Sequence, residues 1–341
     1  MFIDLDCQIN NIKNLVAEPI QQMNHIILDC VAPSISSDLF IFIKKHIIDN
    51  TGKQLRPLLL LLSAHALNGL KHNNKINYNN NIQLATVIQL IHIASLLHDD
   101  VLDNATMRRN KKTINAEFSN KCAILSGDFL YSKAFKLISK IDSKNNNKII
   151  SLIADTANLM VEGEILQLSE KYNFNITEEK YLQIIIAKTA NLFSIAMQLP
   201  NVLITANLEN NVLAECGLNF GIAYQLLDDI FDYYKFGNDT VEGRITLPII
   251  FLLNNSDLHT KKKVVHIIEN YNDFEHIEQL KQLKLLKNII LNNNGFNYAL
   301  NLAKRYLIMA KERINIVEES KYKQAILQII NCFLCLELPK T

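Results

Sequence analysis

The stretch IQLATVIQLIHIASLL, residues 82–97, is apolar around most of a helical circumference and runs directly into HDDVLD at 98–103. A helix with so little polar surface belongs at the centre of an assembly of other helices, which must cover it on several sides. Working outward, segments of helical periodicity alternate with asparagine-rich breaks: KHNNKINYNNN at 71–81, DSKNNNK at 142–148, NLENN at 207–211 and LNNNG at 291–295. Asparagine side chains compete for backbone hydrogen bonds and favour turns, so these runs read as loops. Helices are predicted over roughly 5–31, 36–50, 53–70, 81–104, 119–141, 147–171, 177–199, 209–235, 244–254, 259–270, 274–292, 295–316 and 319–337. None of the breaks has the character of an interdomain linker and no repeat of solenoid period is present. The expectation is one all-α domain spanning 1–341, a single large helical bundle.

Composition agrees with that expectation and excludes other classes. Nine glycines and six prolines in 341 residues leave too little turn punctuation for a many-stranded β protein or a glycine-fingerprint nucleotide fold. The 35 Lys+Arg and 34 Asp+Glu leave a formal charge of +1, which removes the electrostatic case for nucleic-acid binding. The opening MFIDLDCQINNIKN has no secretory signal pattern. No uninterrupted apolar run approaches the ~20 residues of a membrane span. The densest, Leu58 to Leu62, gives way to Ser63 and His65. Six cysteines scattered in apolar surroundings point to reduced thiols and a cytoplasmic protein.

The chemistry lies in a pattern that occurs twice: Asp99-Asp100-Val101-Leu102-Asp103 and Asp228-Asp229-Ile230-Phe231-Asp232, each closing a long apolar helix. Residues i and i+4 share a helix face, so Asp99 with Asp103 and Asp228 with Asp232 form carboxylate pairs. Such pairs repel unless a cation neutralises them. Mg²⁺ is held by one or two carboxylates while phosphates and waters complete its octahedron, so the pairs suit Mg²⁺ around a diphosphate. Zinc fits less well, because the pattern offers oxygen ligands and no paired His or Cys. Arg108 and Arg109 follow the first pattern, and Lys53 and Arg56 open an apolar helix in TGKQLRP. Adjacent arginines can grip phosphates in two directions. Lys111 and Lys112 read as ordinary surface charge.

These residues carry a resemblance. LIHIASLLHDDVLDNATMRRNKKTINAEF with LSGDFLYSKAF is similar to the first aspartate-rich region of trans-polyprenyl diphosphate synthases, close to the octaprenyl group. YQLLDDIFDYY with EGRITLPI resembles their second region, and TGKQLRP resembles their GGKRxRP motif. VEGEILQL and Lys188-Thr189-Ala190 also match. The resemblance runs from about 51 to 250. It implies the isoprenoid synthase fold, a helical bundle around a central cavity with the two aspartate helices facing each other at its mouth. It implies Mg²⁺-dependent head-to-tail condensation of isopentenyl diphosphate onto an allylic diphosphate such as farnesyl diphosphate, by a homodimer that contacts a membrane surface at product release. Asp99, Asp103 and Asp228 would hold metal, with Asp100, Asp229 and Asp232 in the same clusters. Lys53, Arg56, His92 and Arg109 match positions that hold isopentenyl diphosphate. Arg108, Lys188, Thr189 and Gln225 match positions that hold the allylic diphosphate, and Lys188 stands among the catalytic positions.

Several positions depart from the family pattern. Thr51 and Gln54 replace a Gly and an Arg of GGKRxRP, and Asn110 stands where a Gly usually follows the arginine pair. Only YYKFGNDTVEG separates Asp232 from Arg244, where the family loop is about eight residues longer. Lys235 is the remaining candidate for the loop lysine that reaches the diphosphate, and Arg244 replaces a second one. The shorter loop motivates an alternative, a weakly or non-catalytic subunit of a heteromeric synthase. A terpene cyclase would share the fold but use a mixed Asn/Ser/Glu second metal motif, which is absent here. His98 reads as structural, and the CxxC spacing of Cys332 and Cys335 as packing. The small residues Ala94 and Ser95, one turn before Asp99, with Ile91 a further turn away, imply an open channel and a long product, about forty carbons, for a quinone side chain.

Overall fold

The computed structural model describes residues 2–31, 41, 43–45, 52–67, 75–109, 111–205, 212–235, 239 and 242–338. Its helices in chain order are α1 Phe2–Lys13, α2 Ala17–Cys30, α3 Leu55–Ala66, α4 Lys75–Leu102, α5 Ile114–Glu117, α6 Asn120–Ile138, α7 Asn146–Ser169, α8 Glu178–Ile185, α9 Asn191–Thr205, α10 Val212–Lys235, α11 Leu247–Asn255, α12 Leu258–Glu269, α13 His276–Asn292, α14 Gly295–Asn315 and α15 Lys321–Leu334. Among the described residues the only sheet is a two-stranded hairpin, β1 Met107–Arg108 with β2 Lys111–Lys112. The fold is all-α, as the apolar periodicity requires.

Contacts group the chain into two compact units. The first comprises 1–155, 195–214 and 314–329, and the second 156–194, 215–313 and 330–341. Each of the changes from one unit to the other falls inside a helix (α7, α9, α10, α14 or α15) rather than in a loop. In the first unit α4 is the axis, packed against α2, α3 and α6. Leu58 and Leu60 to Leu62 have no accessible surface at all. At ~1.5–3 kcal/mol per buried leucine, the LLLLL run is a main anchor of this unit. In the second unit α8 packs on α11, and α12 and α13 pair. Gly217 and Gly221 give α10 its close approach to the 190–194 backbone, since a Cβ at Gly221 would stand 2.6 Å from the Cα of Ala190.

The asparagine-rich stretch before α4 turns helical sooner than its composition suggests. α4 begins at Lys75, because Asn81 Nδ2 donates back to the Asn77 carbonyl at 2.8 Å and Asn80 donates to the Asp142 carbonyl at 2.9 Å. The helix expected over 5–31 is interrupted by a 3₁₀ turn, Asn14–Val16. That expected over 36–50 falls mostly outside the described residues. Two stretches, Asn77–Leu102 and Glu178–Ile204, are long and apolar enough on average to cross a membrane, but 72% and 56% of their apolar windows are buried inside the protein, as in core helices. All six cysteines are free thiols.

Candidate active site

In the first unit, α4 delivers Asp99 to Asp103 and then stops. Asn104 adopts a left-handed φ of 49° and the Ala105 N–H returns to the Asp100 carbonyl at 2.9 Å, which terminates the helix and satisfies that carbonyl. The following hairpin is stapled back: Asn115 Nδ2 donates to the carbonyls of Asp100 and Ala105 at 3.1 and 2.9 Å, and Thr113 Oγ1 donates to Ala105 at 2.7 Å. This folding back puts Arg108 Nε 2.7 Å from Asp100 Oδ1. Asp100 is 1% exposed; burial raises its carboxyl pKa and Arg108 opposes the rise. Asp99 and Asp103 remain half-buried on the helix face they share. Burial, with the charge of Asp99 adding to it, pushes the Tyr131 hydroxyl up to about 12.

Of the residues expected to bind phosphate, Lys53, Arg56, His92, Arg108 and Arg109 lie in the same unit, and Lys188 in the other. Arg56 Nη1 lies 3.2 Å from His92 Nε2. Burial first, then the charges of Arg56, Arg109 and Arg108, hold the His92 pKa well below 6.5, so near neutral pH its ring is uncharged and accepts from Arg56. Gly52, at φ 60°, lies directly against the Arg109 guanidinium, where a Cβ would collide with it. Arg109, at the hairpin tip, itself adopts φ 51°. Lys53 shares the Gly52 turn. Gln54 is buried and its Nε2 donates to Asn24 Oδ1 at 2.8 Å, so this departure from GGKRxRP ties the turn to α2. His98 is structural as expected: its Nε2 lies 3.1 Å from the Ile124 carbonyl, and only a glycine at 127 leaves room for the ring. Thr51 and Asn110 lie outside the described residues.

The depressed His92 pKa has a consequence for stability. Unfolded chain takes up a proton at this residue near pH 6.5 and folded chain only at lower pH, so stability is undiminished above about 6.5 and falls as pH drops below it. Between pH 6.5 and 5, the melting temperature of the ligand-free protein is expected to fall more steeply than that of His92→Gln. Parallel slopes would mean that His92 does not carry this proton linkage.

In the second unit, α10 carries Gln225 and Asp228 to Asp232. Asp228 is exposed and Asp232 half-buried, while Asp229, between them, is only 6% exposed. Both oxygens of Asp229 are engaged: Tyr181 O–H donates to Oδ2 at 2.5 Å and Gln225 Nε2 to Oδ1 at 2.6 Å. Thr189 Oγ1 donates in turn to Gln225 Oε1 at 2.7 Å. Burial pushes the Asp229 carboxyl up to about 7 against the pull of these two hydrogen bonds. Thr189 and Lys188 sit in a π-helical turn, Ile186–Ala190, that joins α8 to α9. Lys188 pairs with Glu164 of α7, and Gly163 lets α7 approach, since a Cβ there would stand 2.9 Å from the Lys188 nitrogen.

After α10, the backbone N–H of Asp239 donates to Asp232 Oδ2 at 3.1 Å. Arg244 reaches Asp239 and Glu242 at 3.4 and 2.8 Å. The side chain of Lys235 lies outside the described residues.

Each aspartate motif therefore leaves its first and fifth residues at least partly exposed and buries its second against a partner. Asp100 holds Arg108, and Asp229 accepts from Gln225 and Tyr181. Among the described residues no three His, Cys, Asp or Glu side chains form a protein-only cage. The outward pairs offer carboxylate oxygen only, which fits a hard cation whose shell phosphates and waters complete. Sequence reasoning missed Tyr181 and the pairing of Glu164. Glu164 lay in the quoted VEGEILQL, whereas the only signal for Tyr181 was its place seven residues before Lys188.

An all-α chain with one carboxylate pair near the end of α4 and another near the end of α10 offers the oxygen donors that suit a hard cation. The chain belongs to the polyprenyl synthetase family, whose model matches residues 39–286. It is 32% identical over 332 residues to the octaprenyl diphosphate synthase of Haemophilus influenzae, covering 94% of this chain and 95% of that one. It is 31% identical over 325 residues to the geranyl-diphosphate-specific all-trans-nonaprenyl-diphosphate synthase of Rhodobacter capsulatus, covering 92% and 94%. The polyprenyl synthase of Caulobacter crescentus, solved with calcium and isoprenyl diphosphate, superposes with a TM-score of 0.86 at 26% identity over 96% of this chain and 97% of that one. The fold is the isoprenoid synthase fold, and the protein is a prenyl diphosphate synthase.

Proposed function

We propose that the chain, acting as one catalytic domain over 1–341, extends an allylic diphosphate such as farnesyl diphosphate by successive additions of isopentenyl diphosphate to an all-trans product of about forty carbons, a quinone side-chain precursor. The gathering of Arg56, His92, Arg108 and Arg109 in one unit is the observation that carries this reading. That the chain changes units only inside helices supports its working as one domain.

Lys53, Arg56, His92 and Arg109 hold isopentenyl diphosphate; Arg108, Lys188, Thr189 and Gln225 hold the allylic diphosphate. Asp99 with Asp103, and Asp228 with Asp232, are the ligands offered to Mg²⁺, which when bound withdraws charge from the leaving diphosphate. The allylic C–O bond breaks with its electron pair leaving on diphosphate. The isopentenyl double bond then attacks the allylic carbon, and the released diphosphate takes the proton that restores the new double bond. Neutral His92 keeps the isopentenyl subsite from overcharging while still bonding Arg56.

The exposed Ile124, Leu125 and Phe135 of α6 and the exposed Val161 and Ile165 of α7 are faces that a second copy would cover, so we place the protein as a homodimer. A cytoplasmic enzyme that contacts a membrane surface only for product release follows from the same reading.

Incubating the purified chain alone with Mg²⁺, farnesyl diphosphate and radiolabelled isopentenyl diphosphate tests the proposal. Labelled lipid of long chain length is expected. None at all would favour the subunit reading, in which activity requires a partner chain.

Within this reading, Arg109→Ala and Lys53→Ala are each expected to raise the isopentenyl diphosphate KM by more than about tenfold, since a charge-assisted hydrogen bond contributes ~1.5–3 kcal/mol. Gly52→Ala should do the same without removing any charge, because its methyl group would displace the Arg109 guanidinium and force a side chain into left-handed backbone. Kinetics with each substrate varied separately check this. An equal rise in both KM values would undo the assignment.

A further inference from the structure

We propose that Tyr181 is a positioning residue for the allylic diphosphate subsite: its phenol locks the Asp229 carboxylate, which orients the Gln225 amide and through it the Thr189 hydroxyl. The inference rests on the prenyl-transfer reading above, which assigns Gln225 and Thr189 to that diphosphate but gives no role to Tyr181.

The hydrogen bonds converge on Asp229 from two sides. Thr189 Oγ1 donates to Gln225 Oε1, Gln225 Nε2 donates to Asp229 Oδ1, and Tyr181 O–H donates to Asp229 Oδ2, over 2.7, 2.6 and 2.5 Å. An amide side chain can face either way round, and its contact with Asp229 decides it here: Gln225 Nε2 donates to Asp229 Oδ1. Asp229 accepts from the Gln225 nitrogen, so the Gln225 oxygen must turn to Thr189. Tyr181 is 4% exposed, on the turn of α8 that leads into the π segment carrying Lys188 and Thr189. It thereby ties α10 to the helix that leads into Lys188 and Thr189. Without the phenol, Asp229 Oδ2 becomes a buried oxygen lacking its donor. The carboxylate can then rotate and release the amide.

Tyr181→Phe deletes one oxygen atom and keeps the ring packing. It is expected to raise the farnesyl diphosphate KM about tenfold while the isopentenyl diphosphate KM stays within twofold. Equilibrium binding of farnesyl thiodiphosphate with Mg²⁺ should weaken by the same factor, a readout that needs no turnover. Gln225→Ala approaches the chain from its other end. Because both changes break one relay, the double variant should bind the thiodiphosphate no more than twofold worse than the poorer single variant. Multiplicative losses, an unchanged farnesyl diphosphate KM in Tyr181→Phe, or equal losses for both substrates with a large fall in melting temperature would each overturn the proposal. A wild-type chain that binds the thiodiphosphate yet makes no product would sink the prenyl-transfer reading while the binding comparison still decides the role of Tyr181.

Discussion

Asp228→Ala and Asp99→Ala are each expected to lower kcat by about a thousandfold or more, while the melting temperature of the metal-free protein stays where it is or rises slightly. Loss of charge stabilisation at the leaving group is worth several kcal/mol of barrier, and each ~1.4 kcal/mol is a factor of ten. The stability side follows from where the two residues sit. Asp228 is exposed and Asp99 half-buried, and each shares a helix face with another carboxylate four residues on, a repulsion that alanine relieves. The buried middle aspartates should behave oppositely. Asp100→Ala leaves Arg108 part-buried without its 2.7 Å partner, so it is expected to lower the melting temperature as well as activity. Thermal melts beside single-turnover rates separate the two classes. A large fall in melting temperature for Asp228→Ala would make that residue structural, and the outward-pair reading would fail.

How much of this was readable in the chain depends on how local each cause is. The all-α fold and most helix positions follow from apolar periodicity, because a helix such as 82–97 can only be buried. Both aspartate motifs are likewise short-range patterns, legible as pairs on one face. The difference between first, second and fifth aspartates was not legible. It depends on which side chain of another element reaches each carboxylate: Arg108 comes from a hairpin folded back on α4, and Tyr181 from a helix far away in sequence. The π turn at 186–190 was hidden for a similar reason. One residue added to a turn barely disturbs the hydrophobic pattern, yet it changes where Lys188 and Thr189 stand. Gln54 looked like a lost phosphate contact, and only the fold shows it bonded to Asn24. The start of α4 was misplaced because Asn80 and Asn81, read as a loop, use their amides to tie the helix to the Asp142 carbonyl beyond α6 and to its own Asn77 carbonyl.

Ala94→Phe is expected to shorten the product from about forty carbons to fifteen or twenty while condensation continues, because the ring enters the interior about one ~5.4 Å turn before the Asp99 carboxylate. In a helix, Ala94 and Ile91 share a face, and both are buried in the first unit, Ala94 completely. Ser95 keeps partial exposure, and its hydroxyl donates back to the His92 carbonyl at 2.9 Å, so toward its surroundings it presents little more than a methylene. On the proposed function, two such small side chains would leave a growing chain room to descend beside α4, and a phenyl ring at either place would be a floor. The competing physical effect is overpacking, since a large side chain in a filled interior costs ~1–3 kcal/mol. The two effects leave different traces. A floor changes the product distribution at an unchanged melting temperature, and Ser95→Phe, at a position with space to spare, should shorten the product with less loss of stability than Ala94→Phe. Overpacking alone lowers the melting temperature of Ala94→Phe and leaves the products long. Chromatography of dephosphorylated products from both variants reads the result directly, and an unchanged long-chain distribution in two folded, active variants would place the channel on another face of α4.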